Sequence, residues 1–174
     1  MKQLINSILK ASPLFLVMAL IILSGCQQPK PDPSVELKPL VNKLIEVWNT
    51  GNYEELDAII DPTYVRTTNR MPEVKGIDGI KKEITNLRTS YPDLKLSIAN
   101  EIYSENSAAY SWVWEGTNTG PGEMPPTGKS INNLGLTILH FANGKIIRHI
   151  VAFNNQAWLE QLGYTMMPPA AGKK

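Results

Sequence analysis

Few side chains in this chain are equipped to move protons at neutral pH. There are two histidines, His140 and His149, and histidine alone titrates near neutrality without help from its surroundings. His149 lies in an alternating stretch, Lys145 to Phe153, which follows an Asn143-Gly144 turn and breaks at Asn154-Asn155 into a short helix carrying Trp158, Leu159 and Leu162. A strand that opens into a helix presents its last side chain at a rim, and here that side chain is Asn154. An amide can orient a polar group, but it has no lone pair basic enough to take a proton from carbon. Asn154 also fits the N-cap of the helix that follows, a purely structural task. On a regular strand Ile150, Ala152 and Asn154 share one face, while His149, Val151 and Phe153 share the other. A site lined by the first set would turn His149 away from Asn154, as an ordinary sheet histidine. Asn154 and His149 are the catalytic candidates on these grounds.

Aromatic side chains supply the other candidates. Tyr110, Trp112 and Trp114 fall on one face of Ala108 to Glu115, either as core or as a flat wall for a ligand, and Trp48 and Tyr64 could join that wall. Arg66 either binds an anionic group or lays its stem along an apolar surface. Other chemistries are excluded. Gly128-Lys129-Ser130 lacks the glycine that a phosphate-binding loop needs with four residues between it and Gly128, where Glu123 stands. No metal-ligand spacing is legible, no Gly-x-Ser-x-Gly elbow is present, and no cofactor is implied.

The elements that must position these residues are helices first and strands afterwards. Leu37, Leu40, Val41, Leu44, Ile45 and Trp48 form the apolar stripe of a first helix ending at Thr50-Gly51-Asn52. Tyr53 to Ile60 predicts a second helix closed by Asp61-Pro62, and Thr63 to Thr68 has strand composition. Ile77, Ile80, Ile84 and Leu87 mark a third helix, which Tyr91-Pro92-Asp93 terminates. Four strands follow, around Leu94 to Ile98, Ala108 to Glu115, Ile131 to Phe141 and Lys145 to Phe153. This order predicts an α+β domain: a curved, cone-shaped antiparallel sheet with three N-terminal helices gathered on one face. Such a sheet curls around its helices and leaves a blind cavity suited to a small molecule.

With 174 residues, 17 of them basic and 16 acidic, the chain suits one domain and shows no basic run that would point to nucleic acid. Residues 1–25 read as a signal segment: Lys2 and Lys10 precede an apolar run from Pro13 to Leu23 that is too short to span a bilayer comfortably. The segment Leu23-Ser24-Gly25-Cys26 resembles a bacterial lipobox, which implies cleavage before Cys26 and a lipid on its thiol. Cys26 is the only cysteine, so no internal disulfide forms. Residues 26–35 then serve as a proline-rich tether, 36–165 as the domain and 166–174 as a tail. Gln27 after Cys26 favours periplasm-facing placement at the outer membrane over the inner one.

Gly116 to Gly120 (GTNTG), Pro125 to Lys129 (PPTGK), Phe141 to Ile146 (FANGKI) and Gln161 to Gly163 (QLG) stand in an order and spacing that resembles the SnoaL-like polyketide cyclase family. The helix ending in WNTGNYEELD fits the same pattern, and the match covers roughly 37–163. The resemblance implies a nuclear transport factor 2-like cone and aldol-type ring closure, in which a carboxylate ending the last strand takes a proton from carbon next to carbonyls. Where the family usually has that Asp, this chain has Asn154. Asn118 stands where many members have His, Thr67 stands where a His is common, and Arg148 and Ile150 replace a frequent Glu and Trp.

Three functional expectations follow. A lipid-anchored envelope protein could hold a small hydrophobic or aromatic molecule without transforming it, with Trp48, Tyr64, Arg66, Trp112, Trp114 and Asn118 as ligand-binding candidates. A cyclase-like or isomerase-like enzyme could use a displaced base. A homodimerising interaction module could use the sheet's outer face. The missing carboxylate and the retained aromatics favour the first.

Overall fold

The computed structural model describes residues 30–69 and 71–167. The apolar run at 13–23, the lipobox-like segment with Cys26, residues 26–29 of the expected tether and residues 168–174 of the expected tail lie outside those residues. No helix among the described residues is long and apolar enough to cross a membrane.

The first helix, α1 (Pro33–Thr50), starts three residues earlier than the expected domain boundary, inside the stretch read as tether. Asp32 is its N-cap, accepting a hydrogen bond from the Ser34 backbone N–H at 2.9 Å, and Pro33 fits the first helical position because no N–H is needed there. Leu37, Val41, Leu44, Val47 and Trp48 form its buried face. It ends where Gly51 takes a left-handed φ of 72° and donates its N–H to the Val47 carbonyl. The second helix shrinks to α2 (Leu56–Ile59), because Ile60 already belongs to strand β1 (Ile60–Thr68). After a two-residue strand β2 (Val74–Lys75) comes α3 (Gly76–Ser90), which buries Ile80 and Ile84. Strands β3 (Lys95–Ser104), β4 (Ser107–Thr117), β5 (Ser130–Ala142) and β6 (Lys145–Phe153) follow as a meander, and α4 (Asn155–Gln161) closes the described domain.

The fold is α+β with a curved six-stranded sheet, in the order β2-β1-β6-β5-β4-β3. It is mixed and not wholly antiparallel as expected, since β1 lies parallel to β6. The last strand of the meander is thereby flanked by the first long one. Pairing of β1 with β6 shifts register between Ile60 and Val65, the interval that holds Pro62, whose missing N–H cannot join a regular ladder. The β5–β6 hairpin turns at Asn143 and Gly144, both at positive φ, as the Asn-Gly signal requires.

A second irregularity decides what faces inward. His140 pairs with Arg148 and Phe141 with Ile146, so Ile147 has no partner on β5, nor on β1. This bulge reverses the alternation: Ile146 is buried, yet beyond it the buried side carries His149 and Val151, and Ile150 and Ala152 lie on the other face. The sequence expectation that the face of Ile150, Ala152 and Asn154 lines the interior is thus corrected. The middle of strand β5 reads inside out: Asn133, Gly135 and Thr137 point inward, whereas Leu134, Leu136 and Ile138 are 59%, 58% and 42% exposed.

Gly135 has a packing reason. It pairs with Trp112 on β4 and with Phe153 on β6, and a Cβ placed on it would come within 2.1 Å of the Trp112 ring. The indole lies across this gap and donates its Nε1–H to Thr137 Oγ1 at 2.9 Å. Gly135→Ala is expected to destabilise the domain by about 1–3 kcal/mol through overpacking, with a shifted tryptophan emission spectrum, as measured by urea unfolding. Unchanged stability and emission would contradict this packing.

Candidate functional site

The concave face of the sheet, α3 and the C-terminal end of α1 enclose a cavity of about 710 Å³. The pairing register arranges its wall in layers. Arg66, His149 and Leu139 lie side by side on β1, β6 and β5; two residues along come Thr68, Val151, Thr137 and Tyr110; then Phe153, Gly135 and Trp112; then Asn133 and Trp114. One end is therefore polar and the other aromatic. At the aromatic end, Trp114 packs edge-on against Tyr91 at 5.1 Å between ring centres, and Trp158 and Phe153 lie 6.0 and 6.4 Å from it. Trp158 reaches this cluster from α4 and donates its Nε1–H to the Tyr91 hydroxyl at 3.0 Å.

The polar end is built around an ion pair. Arg66 of β1 donates from Nη1 to Glu83 Oε1 of α3, and its guanidinium lies 5.3 Å from the centre of the Trp48 ring of α1. Burial pushes the Glu83 carboxyl above the usual carboxylate range, while Arg66 pulls it the other way. Beside them, His149 Nδ1 and the Tyr64 hydroxyl are 2.9 Å apart, both residues buried. Burial, reinforced by the positive charge of Arg66, holds the His149 pKa well below its ordinary value, so the ring is neutral at pH 7. Burial also raises Tyr64, which stays a phenol. That phenol proton has no other acceptor among the described residues, and leaving it unmade is costly. Tyr64 therefore donates to Nδ1, and the ring proton of His149 sits on Nε2. In this tautomer His149 is a hydrogen-bond donor toward the cavity and not a base.

Asn154 does not line the cavity. Its side chain accepts from the Ala157 backbone N–H at 3.0 Å and caps α4, so the catalytic placement expected at this residue gives way to the capping one. The bulge at Ile147 is the reason. Trp48, Arg66, Trp112, Trp114 and Asn118 all line the cavity, and Tyr64 stands directly behind His149. Asn118 is largely committed to structure: its Oδ1 accepts from the Thr127 backbone N–H and its Nδ2 donates to the Ser90 carbonyl, tying the 118–129 loop to the end of α3.

Glu83 was not anticipated. Its signal was in the sequence nonetheless: it sits three residues after Ile80 and four before Leu87, a carboxylate on the apolar stripe of a helix. Among the described residues, the buried side-chain atoms with no hydrogen-bond partner are Arg66 Nε, Thr68 Oγ1, Glu83 Oε2 and Trp114 Nε1, and all four belong to residues lining this one cavity. Buried polar groups are ordinarily paired. These four atoms expose almost no surface, so they lie within the cavity wall and not on its open face. No group of His, Cys, Asp and Glu among the described residues could hold a metal ion.

A family model described as SnoaL-like polyketide cyclase matches residues 38–162. No curated protein matches the chain. Among solved structures, the chain is similar to one described as a SnoaL-like polyketide cyclase from Jannaschia sp. CCS1, with 17% identity and a TM-score of 0.71, covering 80% of this chain and 99% of that one. It is also similar to one described as a polyketide cyclase from Acidithiobacillus ferrooxidans, with 25% identity and a TM-score of 0.65, covering 73% and 94%. AclR from Streptomyces galilaeus, described as a hydroxylase, gives 23% identity and a TM-score of 0.66, covering 78% and 90%.

The neutral His149 has a measurable consequence. As pH falls below the ordinary value of 6.5, the unfolded chain binds a proton that the native ring refuses, so stability drops, by about 1.4 kcal/mol per pH unit until the native value is reached. Glu83 has the opposite sign, since its native carboxyl holds a proton more tightly than the unfolded one. The difference between the wild type and His149→Gln isolates the histidine: urea unfolding from pH 7 to 5 should show the acid-side loss in the former and not in the latter. Parallel curves would mean that His149 is not buried neutral.

Proposed function

The chain belongs to the SnoaL-like polyketide cyclase family, and from that premise we propose that it takes up one flat, largely apolar molecule carrying a carbonyl group and acts on it in a cyclase-like or isomerase-like way. The observation that carries this proposal is a cavity of about 710 Å³ with an aromatic end at Trp112, Trp114, Phe153 and Trp158 and a polar end at Arg66, Glu83 and His149. The apolar body of the ligand packs against Trp112, Trp114, Phe153 and Trp158, and its oxygen turns toward Arg66 and the Nε2–H of His149. Catalysis of this kind places preorganised donors where negative charge develops, and a water-poor cavity strengthens their effect.

A second reading, binding without turnover, rests on Asn154: the position at which the resemblance implies the family's Asp holds an amide that caps α4.

The binding step is tested with prodan, a flat naphthyl ketone whose emission moves to the blue in an apolar site. One equivalent should bind with a blue shift, and Trp158→Ala should weaken binding about threefold to tenfold, the loss of one aromatic contact. If prodan emission stays that of water at saturating protein, the proposed ligand class is wrong.

The site of action we propose is the cell envelope, with a lipid on Cys26. Support comes from the apolar run at 13–23, the Leu23-Ser24-Gly25-Cys26 segment and the absence of any other cysteine in the chain. Expressed in a Gram-negative bacterium, the protein should fractionate with membranes, and Cys26→Ala should move it out of them. Equal fractionation of the two would remove the anchor from this proposal.

A further inference from the structure

We propose that the deep, polar end of the cavity receives a carboxylate together with one proton, the carboxylate held by Arg66 and His149 and the proton by Glu83. This rests on the reading that a flat carbonyl compound occupies the cavity, and it specifies that carbonyl as the head of an aromatic acid.

The lining fixes which way such a molecule lies. Its exposed members, Met71, Asn86, Thr89, Pro121, Gly122 and Glu123, belong to the turn after β1, the last half of α3 and the 118–129 loop, so the mouth lies beyond the aromatic rows. Each row of the sheet advances about 6.6 Å on the last, which sets Arg66 and His149 about 20 Å from the row of Trp114. The leading group of an entering molecule therefore meets Arg66 and His149, and its rings stay among Trp112, Trp114 and Trp158. Few polar atoms are open at that deep end. Arg66 Nε, Glu83 Oε2 and Thr68 Oγ1 are sealed in the wall. Arg66 Nη1 serves Glu83 Oε1, Thr137 Oγ1 accepts from Trp112, and His149 Nδ1 accepts from Tyr64. Two nitrogens remain, Arg66 Nη2 and His149 Nε2, which bond to no described residue and are not among the sealed atoms. Both are donors, and one is cationic. A carboxylate accepts from both at once, whereas an ammonium head would set donors against donors.

Charge then calls for the proton. Arg66 is already matched by Glu83, so a carboxylate arriving alone would leave one uncompensated negative charge in a buried site. A solvent proton taken up by Glu83 restores neutrality, and Arg66 keeps a single anionic partner, now the ligand. Glu83 is disposed to take it, since burial holds its carboxyl above the usual carboxylate range and its sealed oxygen has no hydrogen bond to lose. The titratable groups gathered at this end are Arg66 and Tyr64 of β1, His149 of β6 and Tyr110 of β4; α1 brings the uncharged Trp48, and Glu123 stands at the rim. Burial raises both phenols out of the neutral range, and Arg66 stays charged. That leaves Glu83 and His149 to follow the charge of a ligand. Protonating His149 at Nδ1 would sacrifice the hydrogen bond from Tyr64, whereas protonating Glu83 breaks no bond at Oε2.

The test uses the full chain in detergent with prodan bound, challenged by 2-acetylnaphthalene, 2-naphthoate or 2-naphthalenesulfonate, which share one ring system and differ in the head. The sulfonate stays ionised throughout, so any proton bound with it sits on the protein. Both anions should displace prodan and tighten by up to about tenfold per pH unit from pH 8 to 6, while 2-acetylnaphthalene binds alike at both. Calorimetry at pH 6 in buffers of different ionisation enthalpy should count close to one proton taken up per anion. In Glu83→Gln that uptake should vanish, and the sulfonate should bind at pH 8 about tenfold or more tighter than to the wild type. Should Glu83→Gln fail to fold, His149→Gln decides: it lacks one donor and binds the anions more weakly, yet still with the proton. Three results would overturn the proposal and leave the cavity reading intact. They are anion affinity that is equal at pH 8 and 6, proton uptake that persists in Glu83→Gln or disappears in His149→Gln, and displacement of prodan by 2-acetylnaphthalene but by neither anion. If none of the three compounds displaces prodan, the carbonyl-site reading falls and this proposal with it.

Discussion

The Arg66–Glu83 pair under Trp48 is the interaction on which the interior depends, because it joins three elements that are far apart in sequence. β1 supplies the cation, α3 the anion and α1 the aromatic lid. A buried charge pair is rarely a bargain for stability, since desolvation opposes the attraction. Its value here is positional. It fixes α3 across the sheet at a set height and thereby keeps the polar end of the cavity from collapsing onto the apolar core below. The clamp of Arg88 on the Trp48 and Asn49 carbonyls, and the paired hydrogen bonds between Asn49 and Leu96, hold the end of α1 in the same frame.

Around that frame the chain sorts its polarity against habit. In most half-buried strands the apolar residues face inward; in the middle of β5 Leu134, Leu136 and Ile138 face outward, and the inward positions between them are Asn133, Gly135 and Thr137. Small and polar side chains there keep the concave surface hollow and give it hydrogen-bonding groups. Aromatic residues of β4 reach across the hollow from the neighbouring strand, and Trp112 takes the space that Gly135 leaves. The cavity is thus a product of composition on two adjacent strands as much as of sheet curvature.

Much of this could be read in the sequence, and what could not has identifiable causes. The stripe of α1, the Asn-Gly hairpin, the helices-before-strands order and the aromatic face of β4 all follow rules of local periodicity, which neighbouring elements do not disturb. The start of α1 was legible in principle from Asp32 and Pro33, but three prolines in a short polar run outweighed it. The parallel pairing of β1 with β6 depends on where a strand docks, which no local pattern encodes. Glu83 was hidden by its surroundings in sequence: between Lys82 and Ile84 it looks like one more charge on an amphipathic helix, and only the third dimension shows Arg66 opposite. The roles of Asn154 and His149 turned on the placement of a single unpaired residue in β6.

That residue, Ile147, separates β6 into two stretches with independent orientation. Below it Ile146 points into the apolar interior; above it His149 and Val151 face the hollow, held by pairing with β1 and β5. One register fault thereby decides which row of β6 side chains, that of His149 and Val151 or that of Ile150 and Ala152, is turned to the hollow.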